Sequence, residues 1–181
     1  ATVVADVPEL TALMRAAGAA LNLREHTVGR APHTAVLCAP CDIEGHRGRD
    51  GRYYVLDAAR VFPPEPPVPG VRGAALHRLL RPELVRSNPV ALSPDAFSAF
   101  ARRDADAAQH EADVHAAHQR LLCEIIPSVV LALNQRIKRM ATDESPLLPS
   151  VLELSRRICL PDELHREGIN IRYLDRLKHC D

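Results

Sequence analysis

The sequence predicts an α+β domain, predominantly helical, with a small antiparallel β-sheet over about residues 34–58 packed against a helical bundle. Three observations carry this. The run FPPEPPVPG, Phe62 to Gly70, separates a mixed N-terminal part from an almost wholly helical remainder. Asp50-Gly51 lies between two short runs and is a strong hairpin signal, because a type I′ turn needs positive φ at both central residues. Beyond residue 71, apolar residues recur at helical spacing as far as Met140. The expected organisation is one domain over 1–181: a helix plus hairpin over 1–62, a Pro-rich connector over 63–70 and a helical part over 71–181.

Asp6-Val7-Pro8-Glu9 reads as a helix start, with a cap candidate, an early proline and a first-turn acid. Leu10, Met14, Ala17 and Leu21 follow at helical spacing, with Leu13 beside them, and the helix should stop near Asn22. Residues 24–32 read as a loop. Thr34–Cys38 is short, apolar and β-branched, hence a strand, and 42–48 and 52–58 read as two more. Five prolines within FPPEPPVPG exclude helix and central strand. GAALHRLLRPELVRSNP gives one helix, or two broken near Pro82. Ser93-Pro94-Asp95 opens the next helical stretch, with boundaries at Asp104 and Pro127. Leu121, Leu122, Ile125, Val129, Val130 and Leu133 are its core candidates. TDESPLLP is a loop, Val151–Ile158 and Pro161–Glu167 are short helices, and Gly168 is placed as a left-handed C-cap residue.

The chain is 46% apolar but only 3% aromatic and lacks Trp, so its core must be aliphatic. Lys+Arg and Asp+Glu balance at 23 each. That balance, with so few aromatics, argues against direct nucleic-acid binding by the domain. No apolar run reads as long enough to span a bilayer, so membrane insertion is not expected. The chain starts on Ala, without a basic flank, and reads as part of a longer protein. Cys38, Cys41, Cys123, Cys159 and Cys180 make an odd, unevenly spaced set, which fits a reducing compartment better than a disulfide framework.

The ribbon DIEGHRGRDGRYYVLDAARVFPPE, Asp42 to Glu65, concentrates chemistry. A two-residue turn at Asp50-Gly51 would set Gly48 across from Tyr53, His46 from Val55 and Glu44 from Asp57. Like charges opposed in a sheet destabilise it. A metal ion, a shared proton or an arginine such as Arg24 or Arg60 would relieve them. Asp42, Glu44, His46 and Asp57 would then suit a hard metal or acid–base work. A plainer reading pairs the acids with arginines, and a bulge at Gly45 or Gly48 would shift the register. Asp42, the hairpin and YYVLD also echo the catalytic base and metal-binding Asp of kinase-like folds. Yet no Asn stands at the second metal-ligand position, and no phosphate-gripping lobe is visible.

Cys38-Ala39-Pro40-Cys41 is half a zinc site or a redox pair, with His26, His33 and His46 at irregular spacing. Two small residues at a strand end is the simpler reading. Glu111, His115 and His118 share a helix face and could hold a metal, though a solvated face explains them as well. No nucleophile elbow, Walker loop, dinucleotide fingerprint or zincin motif occurs.

The ribbon, followed by LHRLLRPELVRSNP, resembles the Clu domain of the clustered-mitochondria protein family. The matching residues are Asp42, Gly45, Gly48, Asp50, Gly51, Arg52, Tyr54, Leu56, Asp57, Arg60, Phe62, Pro63, Pro64, Leu80, Arg81, Pro82, Glu83 and Leu84. IIPSVV (125–130) and LHREGINIRYL (164–174, with Gly168, Asn170, Arg172 and Tyr173) resemble later parts of the same domain. The resemblance implies a non-enzymatic scaffold module within a larger cytosolic eukaryotic protein. The family is associated with mitochondrial distribution and with messenger RNAs for mitochondrial proteins. Protein partners are implied, and neither a cofactor nor catalytic residues. Arg52, Arg60, Arg81 and Arg172 become structural arginines, with Asp57, Glu83 and helix-end carbonyls as partners. Glu44 departs from the family, where well-known members carry Lys. The alternative from the residues alone is a kinase-like or metal-dependent phosphotransferase, or a hydrolase, built on Asp42, Glu44, His46 and Asp57.

Overall fold

Pro8 fixes φ for the first turn of α1 (Pro8–Ala20), and Glu9 meets the positive end of that helix. The computed structural model describes residues 5–143 and 157–177. Val7, not Asp6, is the N-cap of α1, and no side chain caps it. The helix ends where Asn22 turns left-handed, at φ 59°. The Asn22 amide then donates to Val85 O (2.9 Å) and Asn88 O (2.8 Å), tying the end of α1 to a segment over sixty residues away. Leu23 continues as a parallel bridge to Leu92. Leu13 is 56% exposed. The buried position of α1 is Gly18, whose Cα hydrogen faces the Cys38 backbone.

Two compact units divide the chain, Ala1–His118 and Gln119–Asp181. The first holds two separate antiparallel hairpins rather than one sheet over 34–58. The stretch expected to be a loop contains a strand, β1 (His26–Arg30), paired with β2 (His33–Leu37) through an Ala31–Pro32 turn with a cis bond. Thr27 and Val28 carry the β-branched signal there, and His26 and Val28 are buried on one face. The second hairpin joins β3 (Glu44–Arg47) and β4 (Tyr53–Leu56).

The expected register of this hairpin is wrong by one residue. Glu44 faces Leu56, Gly45 faces Val55, His46 faces Tyr54 and Arg47 faces Tyr53. Gly48 N donates to Arg52 O (2.8 Å) and Gly51 N to Gly48 O (3.0 Å), so three residues form the loop. Gly51 holds its left-handed position at φ 79°, as three-residue hairpins require. Asp50 closes the turn by accepting from Arg52 N (3.1 Å) and Tyr54 OH (2.7 Å). A one-residue shift exchanges the faces. Asp57 therefore leaves the ladder, at φ 54°, and opens a 3-10 turn over Ala58–Arg60. The supposed Glu44–Asp57 confrontation does not exist.

The Pro-rich segment is not a bare connector. Pro63, Pro64, Glu65 and Pro66 are buried, and Pro64 bridges Leu79 in antiparallel sense. Glu65 N donates to Arg78 O (2.7 Å) and Leu80 N to Pro63 O (2.9 Å). Glu65, 2% exposed, also accepts from Arg78 Nε at 3.1 Å. Two short helices follow, α2 (Ala74–His77) and α3 (Pro82–Ser87), broken before Pro82 as expected. The Ser93-Pro94-Asp95 start is overturned: residues 93–106 form turns, and α4 begins at Ala107 and runs to Arg120. The Asp95 carboxylate is drawn into long-range bonds instead of a local cap.

α5 (Ile126–Asp143) follows a π-helical turn over Leu121–Ile125. Pro127 does not end the helix, because the wider turn just before it accommodates the missing N–H and the ring. That turn also moves the buried face, so Leu121, Ile126, Val129 and Val130 are the buried positions. Ala107–Met140 is long and apolar enough to cross a membrane by length and composition, with a window of mean hydropathy 1.3. The expectation that no run reaches that length is corrected accordingly. The loop TDESPLLP and the helix Val151–Ile158 lie almost wholly outside the described residues. α6 (Leu160–Arg166) ends on Gly168 at φ 76°. Ile169 N donates to Leu164 O (2.8 Å), the C-cap pattern expected there. Asn170 caps a 3-10 turn, Ile171–Tyr173, by accepting from Arg172 N, and α7 (Leu174–Leu177) closes the described chain.

A Cβ built on Gly18 would sit 2.5 Å from Cys38 O, whereas one on Gly51 would meet nothing within 4 Å. Gly51→Ala should cost about 1 kcal/mol, through its positive φ alone. Gly18→Ala should cost more, about 1–3 kcal/mol, because backbone must move. Urea denaturation of both variants checks the order.

Candidate functional site

The best-built polar site of the first unit centres on Asp95, a residue the sequence suggested only as first-turn acid of a helix. Its side chain is wholly buried. Oδ2 accepts from Cys41 N (2.8 Å) and lies 2.9 Å from His26 Nε2. Oδ1 accepts from Arg60 Nη2 at 3.2 Å. Arg60, 5% exposed, reaches on to Asp42, donating from Nε (2.8 Å) and Nη2 (2.6 Å). Its guanidinium also stands over the Phe100 ring, 5.3 Å from the centroid. One cation thus holds two carboxylates, one buried and one at the rim. The hydrogen bonds from Arg60 hold the Asp42 carboxyl below the usual carboxylate range, against the opposing effect of partial burial.

β1 is fastened to the same region. Thr27 N donates to Asp104 Oδ2, and Arg24 donates to Ala91 O (3.2 Å) and Asp113 Oδ2 (3.1 Å). Two further pairs of ribbon charges are local. His46 lies 3.2 Å from Glu44, and Arg52 lies 3.9 Å from Asp50. Asp57 is exposed on its left-handed turn. Asp42, Glu44, His46 and Asp57 are accordingly not gathered round one point. Among the described residues, the group able to place three ligand atoms together is Asp104, Asp106 and His110. Glu111 and His115 are exposed, and His115 meets Phe97 edge-on at 5.4 Å.

Cys38 and Cys41 are free thiols. Burial, then the Asp95 and Asp42 charges, push Cys41 up to about 11, and burial raises Cys38. Neither thiol is poised as a thiolate at neutral pH, so neither is activated for redox exchange. A cavity of about 400 Å³ opens beside them, between α1, β2 and β3, lined by Leu10, Met14, Val36, Cys38, Ile43 and Gly45 among others. The other motif residues have structural partners. Gly48 lies under the Tyr54 ring, where a Cβ would come within 2.6 Å of Cε2. Arg81 forks onto Glu83 (2.9 and 2.8 Å) across Pro82, and Tyr173 is buried.

The partners assigned to Asp95 are mainly donors, so an amide cannot replace the carboxylate without facing N–H groups with N–H groups. Asp95→Asn should cost about 3–5 kcal/mol, the scale of breaking a buried ion pair, while Asp50→Asn at the exposed turn should cost far less. Thermal and urea unfolding compare them. Asp42 has its folded pKa depressed, so its contribution to stability is complete above the unfolded value near 3.9. It fades as pH falls through the lower folded value. The stability of the wild type should fall more steeply below about pH 4 than that of Asp42→Asn, measured by urea midpoints across pH.

Comparison with known proteins agrees with the ribbon. Residues 1–67 match the model of the CLU family, clustered mitochondria. A clustered mitochondria protein homolog of Anopheles gambiae is 39% identical over 59 residues. Proteins named clueless from Drosophila persimilis and Drosophila willistoni are 39% and 37% identical over 59 residues. Each match covers 32% of this chain and 4% of the relative, so the chain spans a small part of those proteins. No solved structure matches. The motifs at 80–84 and 164–174 lie beyond the family match. Over residues 1–67, which hold both hairpins and the Asp42–Arg60 pair, this chain is similar to the CLU, clustered-mitochondria, family.

Proposed function

We propose that the chain is a non-enzymatic CLU-type interaction module of a larger cytosolic protein. In that protein it serves as a scaffold in mitochondrial distribution, or in the handling of messenger RNAs for mitochondrial proteins. One observation carries this reading: the ribbon acids Asp42, Glu44 and Asp50 have local partners, while its apolar strand faces solvent. Asp42 gives both oxygens to Arg60, Glu44 is beside His46, and Asp50 closes its own turn. Tyr54, Val55 and Leu56 of β4 are 46%, 46% and 50% exposed. Consecutive half-exposed apolar residues on a two-stranded sheet, with ladder edges open, suit addition of a partner strand or helix. The neutral charge balance supports protein contact over nucleic-acid contact.

A phosphotransferase on Asp42 would need that carboxylate free to take a proton. Held ionised by two Arg60 hydrogen bonds, it is a weak base.

The test uses full-length protein in cells lacking their own copy. Val55→Asp with Leu56→Asp should leave protein level unchanged and fail to restore mitochondrial distribution. Association with partners should fall at least about tenfold, since a buried charge without a counter-ion costs more than 1.4 kcal/mol. Full rescue by the double variant would sink the proposal. Steeply salt-dependent RNA binding by the isolated 181-residue chain would favour direct RNA contact instead.

A further inference from the structure

Asp104, Asp106 and His110 converge where α4 begins. Each offers one ligand atom, and these atoms all lie within 4.8 Å of one another. His110 is 3% exposed, and its Nδ1 has no hydrogen-bond partner. That nitrogen stands 4.0 Å from Asp104 Oδ2, too far for a hydrogen bond, and a shared tetrahedral ion would draw the two atoms to about 3.3 Å.

The carboxylate is positioned in advance. Asp104 Oδ1 accepts from Asp106 N (2.9 Å), and Oδ2 accepts from Thr27 N. The positive end of α4 accounts for acids just before the helix. It does not account for a buried imidazole with a bare nitrogen aimed at one of them. Asp106 is exposed, so solvent can fill the remaining coordination positions.

We propose that Asp104, Asp106 and His110 bind one divalent transition-metal ion of the Zn²⁺, Co²⁺ or Mn²⁺ class. One imidazole and two carboxylates is a mixed N/O donor set, which favours these ions over Ca²⁺ and Mg²⁺. Because Asp104 also holds Thr27, the ion would clamp β1 to the start of α4. Metal binding to the native state then stabilises the fold by mass action.

The experiment titrates the metal-free 181-residue chain with ZnCl₂ and CoCl₂, by calorimetry, thermal unfolding and visible absorption. The expected result is one saturable site, a rise in Tm, and Co²⁺ d–d bands without thiolate charge transfer. Asp106→Asn removes an exposed ligand, so it should leave the metal-free Tm unchanged and weaken affinity tenfold or more. His110→Gln should do the same to affinity. Weak, non-saturating binding, a thiolate band pointing to Cys38 and Cys41, or unchanged affinity in Asp106→Asn would each overturn the proposal.

Discussion

Arg60 is buried and carries a full charge, and the fold of the first unit is arranged to make that tolerable. An isolated buried guanidinium would be strongly destabilising. Here it lies between Asp42 on the ribbon and Asp95 in the turn-rich segment before α4, over the face of Phe100. Asp95 in turn takes the Cys41 N–H and meets His26. Ribbon, first hairpin and central turns therefore meet on one charge-assisted network, in which the position of each part depends on the others.

The same network explains what could and could not be read from the chain. Local signals were legible: Pro8 and Glu9 opening α1, Pro82 breaking α2 from α3, Gly168 ending α6, and the hairpin at Asp50-Gly51. Their causes lie within a few residues. Asp95 reads as a helix acid because Ser-Pro-Asp is a strong local start signal, and nothing nearby reveals that His26 and Arg60 take its two carboxylate oxygens. The one-residue register error has a similar source. Asp-Gly permits both two- and three-residue loops, and Asp50 chooses through its bond to Tyr54. Pro127 reads as a boundary from sequence because a π-turn depends on packing rather than on composition.

The candidate site was legible in its residue types more than in its grouping. Asp42 and Arg60 were both picked out, and an arginine was among the expected counter-charges. Glu44 and Asp57 were placed together only by the mistaken register. His110 gave no signal at all, since a lone histidine on a helix is ordinary until its burial and its distance to Asp104 are known.

Beyond its ladder with β2, β1 and Arg24 before it are tied by side-chain bonds to residues much later in the chain. Arg24 waits for Asp113, His26 for Asp95 and Thr27 for Asp104, separations of 89, 69 and 77 residues. A chain growing from a ribosome can build α1 early. It cannot seat Arg60 or close the network until the start of α4 has emerged. The stretch that matches the family, 1–67, leaves the tunnel with its cation unsatisfied on one side. The unit is thus the product of a late closure, and a cut between residues 67 and 95 falls inside a physical domain.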